Sequence, residues 1–333
     1  MLMALPDSFI PQTTNFDWAI IAATISILLG GILFGAGIAF RYARLRLFGQ
    51  EEIAQGIISA AMAGGILVFC SALSVAAISA MPPGAAMPSC PHAQAAASTP
   101  SGLYECNLEA MSGAYSGLSS SLLRSSLIIG FASSLKITEG NVSAQPLFAY
   151  EEASRSVSSE SRDAAGVAAL SYMELSLADI VRASALVLFL PVGLLLRTFF
   201  ATRKLGAAAM AVAVSAFMVY PLLFIQTFPA SKSAAAAANA TALADGFNSE
   251  YANVRSADLS NTAAVQSQIS AISGGDFENR LQPALSSSAN ANALAIADLA
   301  IYPLISLVVS AVAALGFYWI FSARVFVPYL DAV

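Results

Sequence analysis

The sequence predicts an all-α, polytopic integral membrane protein: a helical bundle with five spans and a helical exterior domain built from two long loops. Of its 333 residues, 57% are hydrophobic and only 11% are charged, whereas a soluble domain usually carries about 25% charged residues. The mean hydropathy is +0.72. In addition, several apolar stretches reach the roughly 20 residues that a helix needs to cross the bilayer core.

The apolar stretches and the segments between them divide the chain into five regions. Region 1–81 holds an N-terminal segment and two spans, Trp18–Phe40 and Ile53–Met81. Region 183–228 holds the third span, Ala183–Leu196, which reaches full length when extended to Phe200, and the fourth, Leu205–Phe228. Region 299–333 holds the fifth span, Leu299–Ala323, and a tail. Regions 82–182 and 229–298 are the two long loops.

The distribution of charge predicts how the spans are oriented. Seven of the 15 basic residues lie in three short segments, as Arg41, Arg44, Arg46, Arg197, Arg203, Lys204 and Arg324. The N-terminus and the two long loops hold 17 of the 20 acidic residues. Because short basic segments stay on the cytoplasmic side, we expect a plasma-membrane protein with its N-terminus outside and its C-terminus in the cytoplasm.

The exterior loops contain features that suit an extracellular location. The sequons at Asn141 and Asn239 both lie in them, and glycosylation and chance occurrence in Ser/Thr-rich loops are both open interpretations. Cys90 and Cys106, 16 positions apart, are predicted to form a disulfide there. Its loop closure would contribute on the order of 3 kcal/mol.

The exterior loops are predicted to be helical, without convincing strand alternation. In region 229–298, apolar residues recur every three or four positions until the break at Ser273-Gly274-Gly275. They are Leu243, Phe247, Tyr251, Val254, Val265, Ile269 and Ile272. A second helix with Phe277, Leu281 and Leu285 completes a helical hairpin.

Region 82–182 is predicted to contain an exterior or interfacial helix at Ser112–Lys136. The alternative is a sixth span, which Arg124 and nine serines disfavour. A polar link, 151–163, follows, and the pattern from Ala164 to Leu196 is compatible with one long helix.

Small residues and prolines mark the spans. Glycines at four-residue or eight-residue spacing, namely Gly31, Gly35, Gly56 and Gly64, let helices approach closely, either within the bundle or between two copies. Pro191, Pro221 and Pro303 each remove a backbone hydrogen bond and are predicted to kink their helices, as part of a gate or as helix-end packing.

The composition argues against several functions. A net charge of −5 disfavours a basic nucleic-acid-binding surface, and one His with three Cys leaves little for a zinc or His-based catalytic centre. The spans lack the ionisable groups of secondary transporters, and motifs for nucleotide hydrolysis, zinc proteases or serine hydrolases are absent. We therefore expect a non-enzymatic protein without a cofactor.

The basic hairpins are the candidate cytoplasmic contacts. Arg41, Arg44 and Arg46, and Arg197, Arg203 and Lys204, would meet lipid headgroups or a cytosolic partner. Plain topology anchoring explains them as well.

The segment Leu190–Phe200, continuing through Thr202-Arg203-Lys204 to Tyr220-Pro221, resembles a pattern in archaeal polytopic membrane proteins. These include proteins of the archaeal DNA-import (Ced-type) apparatus, which are similar to the TrbL/VirB-type polytopic subunits of type IV secretion channels. The resemblance covers about a tenth of the chain. It implies a multi-span channel subunit that assembles with pilin-like proteins and a separate ATPase, and it implies no catalytic residues.

The leading hypothesis is a channel or scaffold subunit of a conjugation-like cell-envelope translocation machine, with nucleic acid only as transported cargo. A single copy and a homo-oligomer are both open arrangements. The alternative is an exterior-facing, membrane-anchored structural or interaction protein that binds surface partners.

Overall fold

The computed structural model describes residues 14–79, 100–139, 142–184, 188–198, 202–227, 231–252, 262–273 and 276–322. Nearly all of these residues are helical, which confirms the all-α class. The helices are α1 (Thr14–Ala39), α2 (Ala43–Ser79), α3 (Pro100–Ser134), α4 (Tyr150–Ser184), α5 (Leu190–Thr198), α6 (Arg203–Val214), α7 (Tyr220–Thr227), α8 (Ser231–Glu250), α9 (Thr262–Ser273), α10 (Asp276–Ile296) and α11 (Tyr302–Ser322). Two π-helical segments, Ser215–Val219 and Ala297–Ile301, join α6 to α7 and α10 to α11.

Helices α3, α4, α8 and α10 form a four-helix bundle. Helix α3 packs along α4 and α8, and α10 packs against α8 and α4. At one end, Tyr104 near the start of α3 contacts Phe224 of α7, with ring centroids 4.6 Å apart. At the other end, Tyr150 of α4 contacts Phe277 of α10, with centroids 4.9 Å apart. Helix α3 therefore starts at the first end, whereas α4 and α10 start at the second, so that consecutive helices of the bundle run in opposite directions.

The bundle has a continuous apolar core. Every third or fourth residue of α3 is buried in it, as expected for a helix that faces three neighbours. The α3 residues are Tyr104, Leu108, Met111, Tyr115, Leu118, Leu122 and Ile129. Small alanines of α8 and α10 (Ala237, Ala240, Ala244, Ala291 and Ala295) allow close approach of these helices to α3 and α4.

A second core holds α5, α6 and α11 together with α2. Leu190 and Leu194 of α5 pack against Met210 and Val214 of α6. Ile66 of α2 and Phe321 of α11 complete this cluster. Helix α1 forms an antiparallel hairpin with α2 and also contacts α5.

Three helical stretches among the described residues are long and apolar enough to cross a membrane: Tyr150–Val181, Arg203–Phe224 and Asp276–Ser322. Thr24–Ala39 is an apolar but shorter helix. The second and third stretches contain most of the fourth and fifth predicted spans. The first lies in region 82–182, which the sequence analysis placed outside the membrane. Membrane character is thus supported, while the count of five spans stays a prediction.

Large apolar side chains point away from the protein along α1 and α11. In water this surface would be unfavourable, whereas hydrocarbon accommodates it without cost. On α1 and α11 the exposed residues include Ile25, Leu28, Ile32, Leu304, Val308, Val312, Leu315 and Trp319. Their exposure agrees with a membrane location for both helices.

The first long loop differs from its prediction in three ways. The predicted helix Ser112–Lys136 begins earlier, at Pro100, ends at Ser134 and is the centre of the bundle rather than an interfacial helix. The predicted polar link 151–163 is helical, because α4 starts at Tyr150 and uses its polar residues on the exposed face. A short antiparallel strand pair, Ile137–Glu139 with Val142–Ala144, also connects α3 and α4, where β-branched residues favour extended backbone.

The second long loop follows its prediction more closely. Helix α9 ends at Ser273, and Phe277 and Leu281 of α10 are buried as expected. Leu243 was predicted on the buried face but is exposed, because the core-facing residues of α8 are Ala240, Ala244 and Phe247. Val254 lies outside the described residues. The predicted single helix Ala164–Leu196 is seen as α4 and α5, and residues 185–187 between them are not described.

Candidate functional site

The basic hairpins contain two kinds of side chain. Arg41, Arg44, Arg46 and Lys204 are exposed, as a contact surface requires. Arg197 and Arg203 are buried, so neither side chain forms part of the surface of the chain described here, and their contact with lipid or a partner stays a prediction. The positive φ of 53° at Arg41 closes the turn between α1 and α2, where the amide of Tyr42 donates to the carbonyl of Gly37.

Arg203 forms an ion pair inside the protein. Its Nη2 lies 3.1 Å from Oε2 of Glu52, with 9% of the Arg203 side chain and 8% of the Glu52 side chain exposed. Ser26 of α1 donates a hydrogen bond to Oε1 of Glu52. Nη1 of Arg203 lies 3.5 Å from Oε1 of the half-exposed Glu51. Arg203 therefore links the second predicted basic segment to the first, through Glu51 and Glu52. The third predicted segment, which begins at Arg324, lies outside the described residues.

Arg197 is 1% exposed at the end of α5. The backbone of Arg197 lies directly against Gly206 of α6, where a β-carbon would have no room. A second close approach involves Gly193, whose position faces Met210 and the carbonyl of Gly206. The α5–α6 hairpin therefore depends on two glycines, at 193 and 206, that the sequence analysis did not select.

Three of the four glycines predicted for packing do not face another helix of the same chain. A β-carbon at Gly31, Gly35 or Gly64 would meet nothing within 4 Å, whereas Gly56 is buried. The α1–α2 contact instead uses neighbours of the predicted positions. A β-carbon on Gly37 would lie 2.5 Å from the amide nitrogen of Arg46. Gly30 and Gly37 face α2. Gly31 and Gly35 lie on the exposed side of α1, so their packing between two copies stays a prediction.

The three predicted kink positions coincide with changes in helix type. Pro221 and Pro303 are each the second residue after a π-helical segment, and Pro191 follows the two π-helical residues 188–189 and Leu190. The amides of Tyr220 and Tyr302 bond to carbonyls five residues earlier. Because proline lacks an N–H and its ring clashes with the carbonyl four residues back, the wider π turn accommodates it. A gate at these prolines stays a prediction.

The predicted extracellular modifications are only partly within the described residues. Cys106 is buried on α3 and is disulfide-bonded. Cys90 lies outside the described residues, so the pairing of Cys90 with Cys106 stays a prediction. Asn239 is exposed on α8, and Asn141 lies outside the described residues. Use of either sequon stays a prediction.

A cavity of about 310 Å³ lies where the bundle meets the apolar helices. The start of α3, the end of α4, the first π-helical segment and α11 line it. Its polar lining includes two phenols and two carboxylates, from Tyr104, Tyr220, Glu105 and Glu174. The rings of Tyr104 and Tyr220 meet edge to face, with centroids 5.8 Å apart. Burial, with smaller contributions from Tyr220 and Glu174, raises the pKa of Tyr104 above its ordinary range. The Tyr104 phenol is therefore a neutral donor.

The cavity carboxylates differ from the other acidic groups of the bundle. Oε2 of Glu174 is buried and has no hydrogen-bond partner among the described residues. By contrast, Glu151 pairs with Arg155 in an exposed ion pair at 2.6 Å, and Oε2 of Glu160 accepts from Nδ2 of Asn292 at 2.8 Å. Glu174 is thus a half-buried residue whose buried Oε2 atom has the capacity to accept a hydrogen bond.

Serine side chains form hydrogen bonds between the bundle helices. Ser119 of α3 and Ser161 of α4 each donate to the backbone carbonyl of the other. Ser125 of α3 donates to Oδ1 of Asn248 on α8 at 2.8 Å. The sequence analysis used these serines only as evidence against a membrane span, whereas they make interhelical hydrogen bonds.

Of the residues that line the cavity, Pro221 was selected from the sequence, as a kink position, whereas the cavity and its carboxyl groups were not predicted. Glu105, Glu174 and Tyr220 come from three separate helices, and Tyr104 is one position before Glu105, so no short motif links them. The available signal was the presence of glutamates on otherwise apolar helix faces.

Among the residues that the structure describes, no group of three or more His, Cys, Asp or Glu side chains is placed to hold a metal ion. Comparisons with protein-family models, with characterised proteins and with solved structures find no match to this chain.

Proposed function

We propose that the protein is a non-enzymatic membrane scaffold: a four-helix platform outside the cell, carried on five spans and forming part of a cell-envelope assembly. In this proposal α1, α2, α5, α6–α7 and α11 are the spans. Regions 82–182 and 229–298 supply two bundle helices each, with the N-terminus outside and the C-terminus in the cytoplasm.

The observation that carries the proposal is the packing between the bundle and the span helices. Tyr104 of α3 contacts both Tyr220 and Phe224, with ring centroids 5.8 and 4.6 Å away. Phe224 is fully buried in the same core as the bundle residues. A partner that binds the platform would therefore affect the spans through a packed, apolar interface rather than through a flexible linker.

Helix α4 is treated as part of the platform although Tyr150–Val181 is apolar enough to span. Its first half carries exposed charges, including the Glu151–Arg155 pair. Its whole length packs beside α3, which is not among the apolar candidates. The exposed apolar residues Leu177 and Ile180 near its end suit an entry into the membrane surface.

The scaffold is favoured over a channel because the proposed spans meet mainly through apolar side chains and glycines. The α5–α6 contact is made by Leu190, Leu194, Met210 and the glycines at 193 and 206. Such an interface excludes water. Reconstituted in liposomes, the protein should produce no ion flux above that of empty vesicles, and a reproducible unitary conductance would replace the scaffold with a channel.

The sidedness is tested with two added cysteines at exposed positions and a membrane-impermeant maleimide. Ser116→Cys on the bundle should be labelled in intact cells, and Lys204→Cys only after permeabilisation, with the parent chain as the background control. Labelling of Lys204→Cys in intact cells, or protection of Ser116→Cys, would refute the proposed orientation.

The proposed cytoplasmic partner is a separate ATPase of a translocation machine, with nucleic acid as cargo only. Its contact surface would be the exposed basic residues Arg41, Arg44, Arg46 and Lys204. Gentle-detergent purification with crosslinking and mass spectrometry should recover this ATPase with the parent chain and lose it with Arg44→Glu/Arg46→Glu. A particle that carries only surface proteins would instead favour the exterior-facing interaction protein.

A further inference from the structure

The cavity at the base of the bundle opens onto a groove between two apolar helices. The groove has a volume of about 650 Å³ and lies between α6 and α11. Three residues, Ala216, Leu307 and Ser310, line both the cavity and the groove. The two spaces are therefore adjacent, and both are lined mainly by apolar surface, while the carboxyl groups of Glu105 and Glu174 lie in the cavity.

The groove has the properties of a site for a hydrocarbon chain. Its walls are alanines such as Ala208, Ala211, Ala311 and Ala314, whose short side chains leave a trough between the two helix backbones. Both helices belong to stretches that are long and apolar enough to cross a membrane. Inside a bilayer such a trough is filled by hydrocarbon, because water cannot satisfy its apolar walls.

The cavity has the properties of a site for a positively charged group. Glu105 and Glu174 are its two acidic lining residues. Burial raises the pKa of Glu174 to about 7, and an ammonium group beside this carboxyl would favour its ionised form. Oε2 of Glu174 is buried without a hydrogen-bond partner among the described residues. The rings of Tyr104 and Tyr220 add aromatic surface, which attracts an ammonium group through its π electrons.

We propose that the cavity and the groove together bind one amphiphile, whose positively charged amine lies between Glu105 and Glu174 and whose hydrocarbon chain lies between α6 and α11. The combination of a cation site and a chain site selects this class. An anionic amphiphile would place its head beside two carboxylates, which is electrostatically unfavourable. A small amine without a chain would leave the groove unused. The proposal does not depend on the scaffold function.

The first test compares three probes on the purified full-length chain by native mass spectrometry. Dodecylamine should bind as a single adduct, at least about tenfold more tightly than dodecanoic acid of the same chain length and more tightly than butylamine. Equal binding of the amine and the acid would refute the cation site. Equal binding of the long and short amines would refute the chain site. These comparisons need no variant.

Two variants then locate the site. Glu174→Gln should weaken dodecylamine binding about tenfold or more, because a charge-assisted hydrogen bond is lost. Its matched control, Glu278→Gln, makes the same change at an exposed position of α10 and should bind as the parent does. Ala311→Leu should fill the groove and weaken dodecylamine but not butylamine, whereas Val312→Leu, which does not line the groove, should change neither. Parent-like binding by both Glu174→Gln and Ala311→Leu would place the amine elsewhere and overturn the proposal.

The two sources of such a molecule are distinguished in a separate arm. If the ligand is a membrane lipid with an amine headgroup, the chain purified from cells should carry it as a retained adduct that dodecylamine displaces. If the ligand is a free amphiphilic amine, the purified chain should bind the added amine without displacing anything. If all of these binding experiments fail, the sidedness and flux tests of the scaffold are unaffected.

Discussion

Replacing Arg203 by Met should destabilise the protein far more than replacing its neighbour Lys204. The guanidinium of Arg203 lies 3.1 Å from the carboxylate of Glu52, and less than a tenth of either side chain is exposed. Without Arg203, the Glu52 carboxylate would remain buried, with the hydroxyl of Ser26 donating a hydrogen bond to it. Removing one partner of a buried ion pair costs about 3–5 kcal/mol.

The contact of Arg203 with Glu51 adds little to the destabilisation expected for Arg203→Met. Glu51 lies at 3.5 Å and its side chain is 41% exposed, so this pair contributes about 1 kcal/mol or less. We therefore expect Arg203→Met to lower the free energy of unfolding by about 3 kcal/mol. Lys204→Met, at an exposed position, should change it by about 0.5 kcal/mol or less.

The assay is reversible unfolding in mixed detergent micelles, followed by intrinsic fluorescence. The double variant Glu52→Gln/Arg203→Met removes both charges and should recover most of the loss, because no uncompensated charge stays buried. If Arg203→Met is as stable as Lys204→Met, or if the double variant is no better than Arg203→Met, the ion pair does not hold α2 to α6 and Arg203 returns to the candidate contact surface.

Three further predictions test the packing. Gly37→Ala should destabilise the protein by about 1–3 kcal/mol in the same unfolding assay, because its β-carbon would lie 2.5 Å from the backbone of α2, whereas Gly35→Ala, with open space around it, should not. Cys106→Ser and Cys90→Ser should each cost about 2–5 kcal/mol, and together no more than either alone, if these cysteines are paired; additive losses would contradict the pairing. Tyr115→Phe should cost about 1 kcal/mol through loss of the hydrogen bond to the carbonyl of Ala291, and an unchanged unfolding midpoint would show that this bond contributes nothing.

The fold class followed from composition because a membrane chain must satisfy its backbone internally, and helices do this with local bonds alone. The helical structure of the second long loop could also be predicted from the sequence, since the break after Ser273 and the burial of Phe277 depend on the local sequence pattern. The full length of α3 could not be predicted from the sequence. Its serines read as solvent-exposed, but Ser119 bonds to α4 and Ser125 to α8, and neither partner is close in sequence.

The site residues were less predictable because their roles are set by relative rotation of helices. One residue along a helix changes its direction by about 100°, and this step separates Gly30, which meets α2, from Gly31, which faces open space. The spacing of small residues identified α1, whereas the glycines of α1 that meet α2 are neighbours of the selected ones. Likewise, Tyr104 and Glu105 become parts of a cavity only when α4 and α11 bring Glu174 and Leu307 to them.

The basic residues of the hairpins show that side chains with the same charge can have different structural roles. Counting basic residues treats Arg197, Arg203 and Lys204 alike, since each contributes one positive charge to the topology signal. Their energies differ because Lys204 lies in the surrounding medium, whereas Arg203 is desolvated and must be paired. A charge at a span boundary can thus orient the chain during insertion and still hold two helices together afterwards. The exposed Arg41, Arg44, Arg46 and Lys204 are then the part of the basic set that stays available to a partner.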